Sequence, residues 1–396
     1  MHTHTRRNFL KVSFSLLAIA EASRLAAATK SRTPTLAETA AMFHDFVSTR
    51  MMDADGLCRS ALHQETLRPW TKEQLTKLDP LVLADWFQNS PDLSGCLAYE
   101  NALMATGEFA LSQMVRYRVM GDVAALAMAH RGVKAILAVI EEGRHYMPGY
   151  LPKPFGGLSK ARYSHEISPD QYTKAVAALH AWRRHASAQE RAAIDQFYVD
   201  AADFFVARKF RHAYRHRTIV TADTHRHALG LFVPIVVLAA NVSGKAAYRA
   251  HLQRFSRALD DSATDEKLSN FNMTSLLIDG FDVAMQEGCD DPRLPALIES
   301  LWTRAIKNIN PDGTAYEGED RKHLSSEGTR VAACATIVEQ LHPATKATVV
   351  AEKVLRRYTK LQEMTHYRIP GAIFEVSVTS WLLAYWRLRE KDKATG

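Results

Sequence analysis

Apolar residues recur at three- and four-residue spacing along nearly the whole chain, and this periodicity limits the possible folds more than any other feature. It predicts helices over residues 35–50, 100–120, 123–141, 169–185, 188–210, 224–240, 246–259, 274–287, 294–308, 326–341, 345–362 and 376–390. No segment alternates with period two for long enough to be a core strand. The breaks between helices come in two lengths. Gly121-Asp122, Asn241 to Gly244 and Asp290-Asp291-Pro292 are short stops suited to antiparallel pairs. Ser168-Pro169-Asp170 is a helix start, with a capping Ser and a Pro suited to the first helical position. Longer connections run from Tyr146 to Ile167, Arg211 to Asp223 and Ile309 to Ser325. No 34-residue repeat marks a tetratricopeptide array. The rhythm predicts a single all-α domain over residues 29–396, an (α/α)6 toroid or six-hairpin barrel, with an open solenoid as the rival architecture.

Residues 1–28 read as an export signal. Thr5-Arg6-Arg7-Asn8-Phe9-Leu10-Lys11, an apolar run from Val12 to Ala20 and then Ala26-Ala27-Ala28 give a charged start, a short apolar stretch and small residues before a cut. The run is too short to cross a bilayer and is interrupted by Glu21. The paired arginines followed by x-Phe-Leu-Lys resemble the bacterial twin-arginine consensus, an address read by a receptor. The protein is therefore expected to be periplasmic or secreted, with the twin-arginine translocase as its partner during export and no membrane span after processing. Without residues 1–28 the net charge falls from +7 to +4. That excess is too small to suggest nucleic acid but suits an anionic substrate. Much of it lies in the segment Arg208 to Arg217. Cys58, Cys96, Cys289 and Cys334 show no C-x-x-C spacing and are expected to be buried thiols; no metal site or cofactor is expected.

In a toroid the long connections gather at one mouth of the ring, and long loops carry function more often than short ones. The first brings Lys153, Phe155, Tyr163, His165, Glu166, Asp170, Gln171 and Tyr172 together. His165, Glu166, Asp170 and Tyr172 supply an acid, a base and hydrogen-bonding groups for a sugar, although an acid in a first helical turn also answers to the helix dipole. Tyr150, Phe155, Tyr163 and Tyr316, being on loops, are the stacking candidates. The second connection ends in Asp223-Thr224-His225-Arg226-His227. Asp223 or Thr224 can cap the next helix, and the histidines offer a base or a carboxylate holder. His212 and His216, four apart, complete a conceivable metal set, but no carboxylate pair accompanies them. The third holds Asp312, Tyr316, Glu317, Glu319, Asp320 and His323 within twelve residues, the densest carboxylate cluster of the chain.

A family resemblance enters with Tyr99-Glu100-Asn101, Thr106-Gly107-Glu108-Phe109 and Arg116-Tyr117-Arg118 through Gly121-Asp122. This stretch resembles the second-hairpin pattern of bacterial six-hairpin glycosidase-like proteins. The passage from Pro152-Lys153-Pro154-Phe155-Gly156-Gly157 to Ser168-Pro169-Asp170-Gln171-Tyr172 is similar to their next loop and inner helix. The likeness covers residues 95–210 and continues beyond only as helix rhythm. It implies a toroid acting on carbohydrate, often on uronic-acid-containing glycans, with Glu100 and Asn101 among the substrate contacts. The chain lacks the Asp-Asp-Leu-Tyr-Met-type segment expected of unsaturated glucuronyl hydrolases. The leading expectation is a glycoside hydrolase cleaving an acidic oligo- or polysaccharide through paired carboxylates, Asp170 with Glu317 or Glu319, whose separation sets inversion or retention. A polysaccharide lyase, eliminating with His165, Tyr172, His225, Arg226 and Tyr316, is the first alternative. A non-catalytic glycan-binding protein is the second.

Overall fold

Local chemistry starts and stops the helices where the sequence signals it. Thr35 with Glu38 and Ser187 with Glu190 form reciprocal capping boxes. Gly121 and Gly244, both at φ 70°, close helices in the left-handed conformation that glycine adopts without steric cost. The computed structural model describes residues 33–78, 92–158, 166–214, 217–220, 224–317, 321–366 and 369–395. Residues 1–28, Tyr163, His165, His216, Asp223 and Glu319 lie outside them.

Among the described residues twelve principal helices alternate between two layers. The outer ones are α1 (Leu36–Phe46), α3 (Val123–Arg144), α5 (Ala188–Ala207), α7 (Ala247–Ala250, His251–Phe255 and Ser256–Ser262 in series), α9 (Arg293–Ile306) and α11 (Ala347–Arg357). The inner ones are α2 (Ala102–Met120), α4 (Pro169–Trp182), α6 (Leu229–Ser243), α8 (Phe271–Gln286), α10 (Gly328–Ala332 and Ala335–Leu341) and α12 (Glu375–Thr395). Each inner helix packs on the next, and α12 returns to α2, which closes the ring. The fold is the expected (α/α)6 toroid. Burial follows the layers: α6 is buried without a break from Leu229 to Ala240, whereas α9 buries one stripe, Leu294, Leu297, Ile298, Leu301, Trp302 and Ala305. Helices α3 and α6 have the length and hydropathy of a membrane span. α6 is enclosed in the inner ring, and α3 lays its buried face on α2.

The barrel is filled, not hollow. Gly230 of α6 and Gly280 of α8 touch backbone to backbone, so a Cβ on Gly280 would lie 1.9 Å from the Gly230 carbonyl oxygen. Below the mouth, Lys174 of α4 donates to Asp279 of α8 at 2.6 Å and pairs with Glu108 of α2 at 2.9 Å. Thr379 and Ser380 of α12 donate to the other Glu108 oxygen at 2.9 and 2.7 Å. Arg387 of α12 reaches Asp279 at 3.4 Å and the Ala333 carbonyl of α10 at 2.6 Å. All four cysteines are buried.

Short strands decorate the mouth: β1 (Leu62–His63), β6 (Thr365–His366) and β7 (Ile369–Ile373) in one sheet of order β1-β7-β6, and the hairpins β2–β3 (Arg211–Tyr214, Arg217–Val220) and β4–β5 (Tyr316–Glu317, His323–Leu324). Two to five residues are too few to print a period-two signal. His212 sits on strand β2, so the four-residue spacing to His216 is not a helical one.

Candidate active site

The first turns of the inner helices converge at one mouth. Asp170 is the second residue of α4, where Pro169 at the first position and the positive helix end favour an ionised acid. Its Oδ2 accepts from the Asn272 amide at 2.8 Å, and Asn272 is the second residue of α8. Arg330, in the first turn of α10, donates to the Asn272 Oδ1. That contact leaves only the amide nitrogen to face Asp170, so the acid sees a donor. The other Arg330 nitrogen binds Glu327 at 3.1 Å. His227, at the entry to α6, lies 3.7 Å from Asp170. Burial pushes the Asp170 carboxyl up. His227, the Asn272 amide, Arg330 and Lys153 outweigh that and hold it below the usual carboxylate range.

Glu317 has the opposite environment. It stands on β4 and is 5% exposed. Asn270, which caps α8 with its oxygen, donates its amide to Glu317 at 3.1 Å, and the Ser325 hydroxyl donates to the other oxygen at 3.1 Å. Burial and the neighbouring Glu327 carboxylate push the Glu317 carboxyl well above its usual range, more than the Ser325 bond and Arg330 pull it down. The mouth therefore joins a carboxyl whose surroundings raise it and a carboxyl whose surroundings lower it, with Asn272 and Arg330 between them. Opposed protonation of two acids is the arrangement that lets one donate a proton while the other accepts one or attacks.

Lys153 closes an ion cluster with Glu100 at 2.5 Å and Glu166 at 3.1 Å. Burial alone would lower the Lys153 ammonium, but the two carboxylates raise it. Gln171 donates to the Glu100 carbonyl at 2.7 Å and accepts from Leu103 at 3.3 Å. It ties α4 to the start of α2, on which Asn101 is the N-cap residue. Glu375, first residue of α12, accepts from the Ala61 amide at 2.7 Å, and burial raises it to about 7.

Not every candidate reaches the site. Tyr172 is corrected to a core residue: its ring is fully buried against Phe197 and Phe205, and its hydroxyl is committed to the Gly149 carbonyl and the Leu151 amide. Arg226 is half-exposed and pairs with Asp265 and, at 3.3 Å, Asp261. Tyr316 lies under the Arg321 guanidinium, and Phe155 packs on a small satellite core around Trp70. His225 and His227 have ring centroids 5.3 Å apart, and His212 stands 6.3 Å from His225. Among the described residues no three His, Cys, Asp or Glu side chains are grouped to hold a metal ion. Asn272, Glu327 and Arg330 escaped sequence reasoning. Each, like Asp170, falls in or next to the first turn of an inner helix, and that shared position was the signal.

The ring of paired helices is shared with solved structures of distant sequence. The chain superposes on a structure titled "Glycosidase E178A" with a TM-score of 0.53 and 15% identity, covering 89% of this chain and 96% of that one. The chain has the six-hairpin glycosidase fold. An unsaturated glucuronyl hydrolase described as specific for heparin matches with a TM-score of 0.56, 10% identity, 90% of this chain and 96% of that one. The cellobiose 2-epimerase of Bacillus thermoamylovorans B4167 matches at 0.50, with 11% identity, 88% and 98%. No family model and no curated protein sequence matches this six-hairpin chain.

Proposed function

We propose that the protein is a carbohydrate-active enzyme, a glycoside hydrolase cleaving an acidic glycan, in which Glu317 donates a proton to the leaving oxygen and the Asp170 carboxylate acts as base or nucleophile. The observation that carries this reading is two buried acids at one mouth in opposite surroundings, Asp170 against the Asn272 amide and His227, Glu317 beside Glu327, which push their carboxyls in opposite directions. Asn272 and His227 fix the Asp170 carboxylate, while Glu327 and burial keep the proton on Glu317. Neighbours of the same fold are named for saccharide substrates, which supports a sugar at this mouth. The withdrawal of Tyr172 into the core removes a leading proton carrier of the lyase reading. We further propose export by the twin-arginine route through residues 1–28, which would bring the enzyme to extracellular glycans. The test is a polysaccharide panel read at once for new reducing ends and for ultraviolet absorbance of a new double bond. Reducing ends without absorbance are expected, and they should disappear in Asp170→Asn and Glu317→Gln. Full activity in both variants would sink the mechanism, and absorbance would assign the lyase.

A further inference from the structure

A second concave site adjoins the mouth. A cavity of about 580 Å³ opens between the first long connection, the end of α5 and strand β2. One wall is aromatic: Tyr146 and Tyr150 meet edge to face at 6.3 Å, and Tyr150 continues to Phe204 at 6.2 Å. The other is cationic. The Arg208 guanidinium lies 3.7 Å over the Phe204 ring, which orients it without neutralising it, and Arg211 projects from β2. Neither arginine has an ion-pair partner among the described residues. His212 forms the inner end. It is 2% exposed, and both ring nitrogens lack a hydrogen-bond partner among the described residues. A buried polar group without a partner is costly, so an unpartnered one at the end of a cavity is suited to meeting a ligand. Burial, with help from His225 and His227, lowers His212 to about 4, so the ring is neutral and offers one donor and one acceptor.

Aromatic faces that take the C–H face of a pyranose, arginines that take a carboxylate, and a neutral imidazole that takes hydroxyls form one recognition set. The row His212, His225, His227 leads from this cleft to Asp170. We propose that the cleft binds a uronate unit of the glycan adjoining the sugar held at Asp170, with Arg208 and Arg211 on its carboxylate, Tyr150 against its ring and His212 on a hydroxyl. This placement rests on the glycan reading of the mouth, but its test does not need turnover.

Calorimetric titration with a galacturonate trisaccharide and with maltotriose would decide it. The wild-type protein should prefer the acidic probe, and the preference should fade with salt. Arg208→Gln with Arg211→Gln should weaken the acidic probe about 10-fold or more and abolish the preference. Arg211→Gln alone, at an exposed strand position, should shift affinity the same way with the fold intact. Asp170→Asn should keep the binding while losing any turnover. Unchanged affinity in the double variant would overturn the proposal, even if the enzyme hydrolyses glycans normally. Loss of binding in the double variant, in a protein that turns over no saccharide, would leave the cleft standing and remove the hydrolase.

Discussion

The floor of the barrel and its mouth both bury charge, and they do so in opposite ways. At the floor Lys174 sits between Glu108 and Asp279, Arg387 adds a second cation, and Thr379 and Ser380 complete the lone pairs. The Asp279 carboxyl is held low by these partners despite burial, and the Lys174 ammonium is held high. At the mouth Glu317 and Glu327 share one arginine, Arg330, which is also spent on Asn272. Balanced charge locks five inner helices together; unbalanced charge leaves a proton that can move. The same ingredients thus make a structural plug in one place and, on the proposed reading, an acid in the other.

The sharpest break of this comparison removes the mobile proton. Glu317→Gln should cut glycan cleavage by about 10²- to 10⁴-fold, measured as kcat with folding checked by circular dichroism. It should also change stability in a pH-dependent way. A carboxyl raised on folding contributes stability below its unfolded value, and that contribution is lost as pH rises through the folded value. The variant should therefore melt closer to, or above, the wild type at alkaline pH. The floor fails differently. Lys174→Met leaves Glu108 and Asp279 buried without their shared cation and should cost about 3–5 kcal/mol in urea unfolding. A next, smaller effect tests the coupling itself. Glu327→Gln removes the like charge beside Glu317 and should move the alkaline limb of the activity profile to lower pH by about one unit. The acid limb, set by Asp170, should stay below the ordinary carboxylate range. The smallest effect serves as the reference: Arg118→Gln breaks the exposed pair with Glu390 and should cost less than about 1 kcal/mol.

The ring was legible because packing repeats itself along the chain. Buried stripes such as Leu294, Leu297, Ile298 and Leu301 recur at helical spacing, and short stops at Gly121 and Gly244 mark inner-to-outer turns. Individual acids were legible where they sat on long connections, as Asp170 and Glu317 did. Their environments were not. The groups that set their protonation, Asn272, Glu327 and Arg330, come from two other inner helices, and no local pattern shows that three helix starts meet. Tyr172 misled for a geometric reason. Two residues along a helix turn the side chain by about 200°, so the position that aims Asp170 at the mouth aims Tyr172 into the core. The ion pairing of Lys153 with Glu100 and Glu166 was equally hidden, because the three residues lie apart in the chain and meet only in the fold.

The return of α12 to α2 also sets a timetable. Glu108 receives its hydroxyl donors from Thr379 and Ser380, 271 and 272 residues later in the chain. A nascent protein emerging from the ribosome holds that carboxylate without those donors until the last helix has been made. Contacts so distant in sequence form late and slowly. The inner wall is therefore an open arc throughout synthesis, and the closed ring comes into being only when its final stave drops into place.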